Sequence, residues 1–183
     1  MHRNMLFRTV LLSSAFTAAA VFFAGSASAL EYPIGEPQEA GGMEVAAVYL
    51  QPIAMEPPGM MRAAEDSDVH LEADIHAARD NENGFATGDW MPYLVISYTL
   101  TKDGATVSSG PLMPMVASDG PHYGDNVKLD GPGEYHLVFA IAPPDGMAFG
   151  RHVDEETGVA PWFAPFETAY DFVYTGVGKK GGY

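Results

Sequence analysis

Polar and apolar positions alternate with period two in several stretches of this chain, most strictly in Asp68-Val69-His70-Leu71-Glu72-Ala73-Asp74-Ile75-His76. Val69, Leu71, Ala73 and Ile75 form one set, and His70, Glu72, Asp74 and His76 form the other. That period belongs to a strand with one face on a hydrophobic core. The ordinary reading of the opposite face is a solvated surface. Strands are predicted likewise over residues 43–51, 93–101, 134–142 and 166–174, from alternation or from β-branched and aromatic content. Lys102-Asp103-Gly104 reads as a hairpin turn into a short strand at 105–108. Residues 112–117 read as extended, with Pro114 marking an edge or an interruption, and 126–129 as one more short strand. A Pro- and Gly-rich lead covers 32–42, a loop with three Pro and three Met covers 52–61, and 81–89 is a turn-rich connection. No stretch holds a helical period with caps, and 14 Pro and 20 Gly suit a chain of many turns. Seven or eight short strands separated by turn signals predict an all-β fold, an antiparallel β-sandwich of immunoglobulin-like type.

The ends change the picture of location. Residues 1–29 read as a cleaved secretory signal peptide: Arg3 and Arg8 near the start, a small and apolar run over 9–23, and the cleavage signature Ala27-Ser28-Ala29. Ser13, Ser14 and Thr17 break the run, which favours cleavage over a membrane anchor. Residues 30–183 are then expected to form a single domain, with no direct membrane anchor and no later segment long enough to span a bilayer. The whole chain carries −15 at neutral pH, which becomes −17 without the leader's two arginines. Such acidity argues against nucleic acid and anionic membranes as partners and favours cations. With no cysteine, neither disulfides nor thiolate metal sites are possible, and a metal would have to use His, Met, Asp or Glu.

Three clusters carry candidate chemistry. His70 and Glu72 share a strand face and can stand on either side of one ion. Met113-Pro-Met115 is followed by Asp119-Gly-Pro-His122, a turn that can fold His122 back toward Met115. The third is Gly150-Arg151-His152-Val153-Asp154, whose default reading is a solvated loop. Imidazole with thioether suits copper, and a carboxylate such as Glu72 suits iron or manganese. Met113 is assigned to core filling ahead of Met115. His76, at the far end of its strand, and His136, within a regular strand, are read as structural or surface residues. No nucleophile elbow, zinc-protease helix or phosphate loop is present, and no catalytic residue is assigned.

The segments Gln51-Pro-Ile-Ala-Met55-Glu56-Pro, Asp68 through His76, Pro111-Leu-Met-Pro-Met115 to His122-Tyr-Gly-Asp125, and Gly150 through Gly158 closely resemble the periplasmic iron-transport protein family. That family includes the treponemal 34 kDa antigen and periplasmic partners of oxidase-dependent iron permeases. The resemblance implies an immunoglobulin-like sandwich, a homodimer, a copper site and a neighbouring iron or manganese site. It also implies delivery of iron to an inner-membrane permease. It assigns His70, Met115 and His122 to copper, His152 as the remaining histidine, supplied across the dimer interface in family members, and Glu72 as the carboxylate for the second ion. The chain departs from the treponemal antigen in lacking a lipidation cysteine. The competing reading is a periplasmic copper chaperone or copper-detoxification protein.

Overall fold

Nine strands lie among the described residues, seven of them over the segments that the alternation and turn signals predict. The computed structural model describes residues 31–176, so the leader and its cleavage point lie outside the described residues. The strands are β1 (Tyr32–Pro33), β2 (Gln38–Ala40), β3 (Met43–Leu50), β4 (Val69–Ala77), β5 (Val95–Lys102), β6 (Ala105–Val116), β7 (Pro121–Val127), β8 (Gly133–Ala142) and β9 (Phe166–Tyr174). One 3-10 turn, Ala64–Asp66, precedes β4. All pairings are antiparallel, and the order across the sheet is β1-β3-β4-β7-β6-β5-β8-β9, with β2 also on β3.

The sheet curls because β6 serves two neighbours in turn. Residues 105–112 pair with β5 and residues 113–116 pair with β7. Pro111 and Pro114 therefore each sit where β6 has a neighbour on one side only, the position in which a missing N–H costs no ladder bond. The sequence signal at Pro114 marks this hand-over, within one continuous strand rather than two short ones. The curl brings the far strands together. Tyr170 Oη on β9 donates to the Val45 carbonyl on β3 at 2.9 Å, and Gln38 Nε2 on β2 donates to the Ala169 carbonyl at 2.7 Å.

Inside the curl lies one hydrophobic core. Val69, Leu71, Ala73, Ile75 and Ala77 of β4 sit in register with Leu71 opposite Tyr49, Ala73 opposite Ala47 and Ile75 opposite Val45 of β3. They share the core with Ile96, Tyr98 and Leu100 of β5 and with Tyr135, Leu137, Phe139 and Ile141 of β8. Burial of such side chains, at about 1.5–3 kcal/mol each, is the main force holding the curl closed.

Besides the merged β6 and a β5 that starts at Val95 rather than at residue 93, two further predicted boundaries differ from the structure. The lead over 32–42 contains β1 and β2, too short for period two to show. The strand expected at 126–129 is the end of β7, which begins at Pro121. The Asp-Gly-Pro signal ends one residue earlier than its composition suggests, so His122 stands on a strand.

Tyr123 ties this strand to the connection before β5. Its hydroxyl donates to the Met91 carbonyl at 2.7 Å and accepts from the Leu94 amide at 2.9 Å, and its ring stacks on Trp90. These bonds brace Tyr93, which holds a left-handed φ of 61° without being glycine. Tyr123→Phe leaves the buried Leu94 amide without this acceptor. We expect a loss of about 1–3 kcal/mol in urea unfolding, and an unchanged midpoint would contradict the bracing role.

Candidate metal centre

Directly paired residues of an antiparallel sheet project to the same face. On β7, His122, Gly124 and Asn126 share one face. Glu72 and His70 of β4 are the partners of Gly124 and Asn126, while Met113 and Met115 of β6 are the partners of Gly124 and His122. Sheet register thus gathers His70, Glu72, His122 and Met115 around a position that has no side chain, Gly124. A Cβ there would lie 2.6 Å from His70 Nε2 and 2.9 Å from His70 Cε1, so the glycine leaves room that any other residue would fill.

The polar face of β4 is not the solvated surface that alternation alone predicts. His70, Glu72 and His122 expose only 1%, 4% and 5% of their surface. One ligand atom from each lies within 4.8 Å of the others. His122 Nε2 is 3.2 Å and His70 Nε2 is 3.5 Å from the same carboxylate oxygen of Glu72. Burying three ionisable groups without compensation is expensive, and their proton affinities respond accordingly. Burial pushes the Glu72 carboxyl up to about 8, helped by Asp74, Glu31 and Asp119. Burial draws His70 down to about 4 and holds His122 below the usual imidazole range. The cluster is therefore neutral near pH 7, with lone pairs rather than positive charges on its imidazoles.

Asn126 fixes which lone pair is offered. Its Nδ2 donates to the carbonyls of Ile53 at 2.8 Å and Arg62 at 2.9 Å, which leaves Oδ1 as the acceptor facing His70. His70 Nδ1 stands 3.0 Å from that oxygen and must carry the proton. His70 Nε2 is then an unprotonated nitrogen, buried and without a hydrogen-bond partner. An orphaned basic nitrogen aimed into a glycine-lined hollow beside a second imidazole, a carboxylate and a thioether fits a metal ion. Copper suits the imidazole and thioether donors. The Asn126–His70 bond is the outer contact that commonly orients a metal-binding histidine. Asn126→Ala should weaken metal affinity by about 10–100-fold in a competition titration. Unaltered affinity would show that His70 orients itself.

The remaining candidates fall elsewhere. Met115 is half-buried beside His122, and Met113, assigned to filling, is also half-buried on that face. His152 is not brought to the cluster. It lies in an exposed loop with 74% of its side chain accessible, Nδ1 2.7 Å from Thr157 Oγ1. The loop is nonetheless ordered by Asp154, which accepts from the amides of Glu156 and Thr157 and from the Thr157 hydroxyl. His136 is an exposed partner of Asp171 on β9. His76 is half-buried and lines a hollow of about 220 Å³ with Glu31, Glu72, Asp74, Asp119 and His122. Burial, a hydrogen bond that the protonated Glu31 donates to Asp119, and the charge of Asp74 push Glu31 up to about 7.

Gly124, Asn126, Glu31 and Asp119 are absent from the sequence-derived set. The period-two run His122-Gly124-Asn126 carries the signal for the first two, hidden because Pro-His-Tyr-Gly-Asp has the composition of a turn. Nothing in the linear sequence brings Glu31 or Asp119 to Asp74.

The fold and this face define an all-β protein with a buried histidine–carboxylate cluster able to hold a metal ion. The chain belongs to the Fe2+ transport protein family, which matches residues 28–176. A UPF0423 protein of Brucella abortus (strain 2308) is 63% identical over 97% of this chain and 98% of its own length. The 34 kDa membrane antigen of Treponema pallidum (strain Nichols) is 42% identical, covering 80% of this chain and 75% of its own. Among solved structures, copper-reconstituted P19 of Campylobacter jejuni superposes with TM-score 0.78 at 56% identity, over 81% of this chain and 99% of that one. FetP of uropathogenic Escherichia coli strain F11, expressed recombinantly in the periplasm, does so with TM-score 0.78 at 54% identity, with the same coverage. Among the described residues no helix is long and apolar enough to cross a membrane.

Proposed function

We propose that this protein is a periplasmic metal carrier of iron uptake, an immunoglobulin-like sandwich that binds copper and iron and passes iron to an inner-membrane permease. The observation that carries the reading is the orphaned His70 Nε2 facing Glu72 and His122 across Gly124, in a chain of the Fe2+ transport protein family. Copper is the ion for His70, His122 and Met115. It is present in the similar P19 structure and in a copper-bound variant of FetP. Iron, with manganese as its substitute, is the ion for the carboxylate side. Glu72 faces both the imidazoles and the acidic hollow formed with Glu31, Asp74 and Asp119. The two halves of the curled sheet, packed on one core, agree with the sandwich.

The working unit in this proposal is a homodimer. Asp154 holds the His152 loop together and Thr157 engages His152 Nδ1 while the side chain stays exposed, as a ligand offered to a partner subunit would require. Copper alone would serve a copper chaperone or detoxification protein equally well. The acidic hollow beside Glu72 favours iron uptake.

The test separates the ions. Glu72→Gln keeps shape and removes the charge, and should weaken Fe(II) or Mn(II) binding more than copper binding. Met115→Leu nearly preserves volume and removes the thioether, and should do the reverse. Paired titrations and growth on limiting iron are the readouts. Iron-limited growth unaffected by Glu72→Gln would leave the copper-carrier reading in its place.

A further inference from the structure

The loop joining β3 to β4 carries three methionines, Met55, Met60 and Met61, that the metal centre does not use. Asn126 fastens both stems of this loop. Its Nδ2 donates to the Ile53 and Arg62 carbonyls, and its Oδ1 lies 3.2 Å from the Ile53 amide, which donates to it. Closed in this way, the loop surrounds a hollow of about 230 Å³ lined by Met55, Met60 and Met61 with Ile53, Ala54 and Pro58.

A methionine that fills a core is packed on all sides. None of these three is buried, and Met60 exposes 44% of its surface. The charged residues of the lining are Arg62 and Glu65, one of each sign, so the hollow has no surplus of anionic oxygen to attract a hard dication. Three neutral thioethers around one partly open hollow are a soft donor set. Such a set selects Cu(I) over Cu(II), Fe(II) or Mn(II). It also needs no deprotonation, unlike the carboxylate of the buried centre.

We propose that Met55, Met60 and Met61 form a Cu(I)-binding site in the β3–β4 loop, separate from the His70–Glu72–His122 centre. The ion binds without change of oxidation state. Asn126, which clamps the loop and faces His70 Nδ1, is a positioning residue common to both sites. The proposal does not depend on the iron-uptake reading and survives its failure.

The test is an anaerobic Cu(I) titration of the full-length mature protein against a chromophoric Cu(I) chelator. The triple variant Met55→Leu, Met60→Leu, Met61→Leu should bind one Cu(I) equivalent fewer than the wild type, whereas His122→Ala should retain that equivalent. Because three substitutions in one loop can disturb folding, Ag(I) serves as a redox-inert probe of the wild-type protein. It should shift the three loop methionine methyl resonances in NMR spectra, and do so equally in His122→Ala. Unchanged Cu(I) stoichiometry and affinity in a folded triple variant would overturn the site. So would loop methyl resonances that do not move at one equivalent of Ag(I).

Discussion

Gly124→Ala is expected to lower copper affinity on the order of 100-fold, at the upper end of what displaced metal-site geometry costs. The added methyl would sit 2.6 Å from His70 Nε2, the atom that offers the lone pair. His70 cannot give way cheaply, because Asn126 holds its other nitrogen and the ring is 1% exposed. The backbone itself tolerates alanine, since Gly124 is not among the glycines at positive φ. The variant should therefore fold, with circular dichroism like the wild type, while a copper titration shows the loss. His122→Ala should also lose copper, and His136→Ala, exposed beside Asp171, should not. Near-normal binding by Gly124→Ala would mean that the ion does not lie between these residues.

The second large effect is one of pH. In the metal-free protein Glu72 holds its proton up to about 8, against an unfolded value near 4.5, because burial disfavours its charged form. Between those values the folded state binds one proton more than the unfolded state, so this group's stabilisation is present at low pH and lost as pH rises toward 8. His70 acts in the opposite sense. Its folded value of about 4, against 6.5 unfolded, removes stability as pH falls from 6.5 to 4. Between about 4.5 and 6.5 these two slopes oppose each other; above 6.5 the Glu72 loss continues, joined up to about 7 by that of Glu31. We expect the apo protein to lose up to about 1.4 kcal/mol per pH unit from pH 6.5 to 8 through Glu72. Glu72→Gln should abolish that part of the slope. Glu72 and the neighbouring His122 together hold one exchangeable proton at pH 7, so a metal that takes the carboxylate should release about one proton on binding. Isothermal titration in buffers of different ionisation enthalpy measures the number. Proton release unchanged in Glu72→Gln would contradict the assignment of Glu72 as a ligand. His70, already neutral, contributes none, and copper should therefore persist well below the ordinary imidazole range.

Much of this was legible in the linear pattern because one physical rule governs it. Period two set β4, and β4 set His70 and Glu72 on one face. The Asp-Gly-Pro signal set the hairpin that pairs Met115 with His122. Burial of that face was not legible, because alternation reports only that two faces differ. His70 is bonded to Asn126, which is itself tied to Ile53 across 73 residues of separation, a connection no local pattern shows. Gly124 acts through the absence of a side chain, and composition gives such a residue to a turn by default. The acidic hollow joins Glu31, Asp74 and Asp119 from three separate segments. His152 is exposed in its own loop beside Thr157, and nothing in the linear pattern or the sheet register brings it to the cluster.

The central claim is that copper lies between His70 and His122 above Gly124. Crystals of copper-loaded protein, measured on both sides of the copper absorption edge, test it directly. The account predicts an anomalous peak within bonding distance of His70 Nε2 and His122 Nε2, with Met115 sulfur on the same side of the sheet. A peak bound to neither imidazole would contradict it.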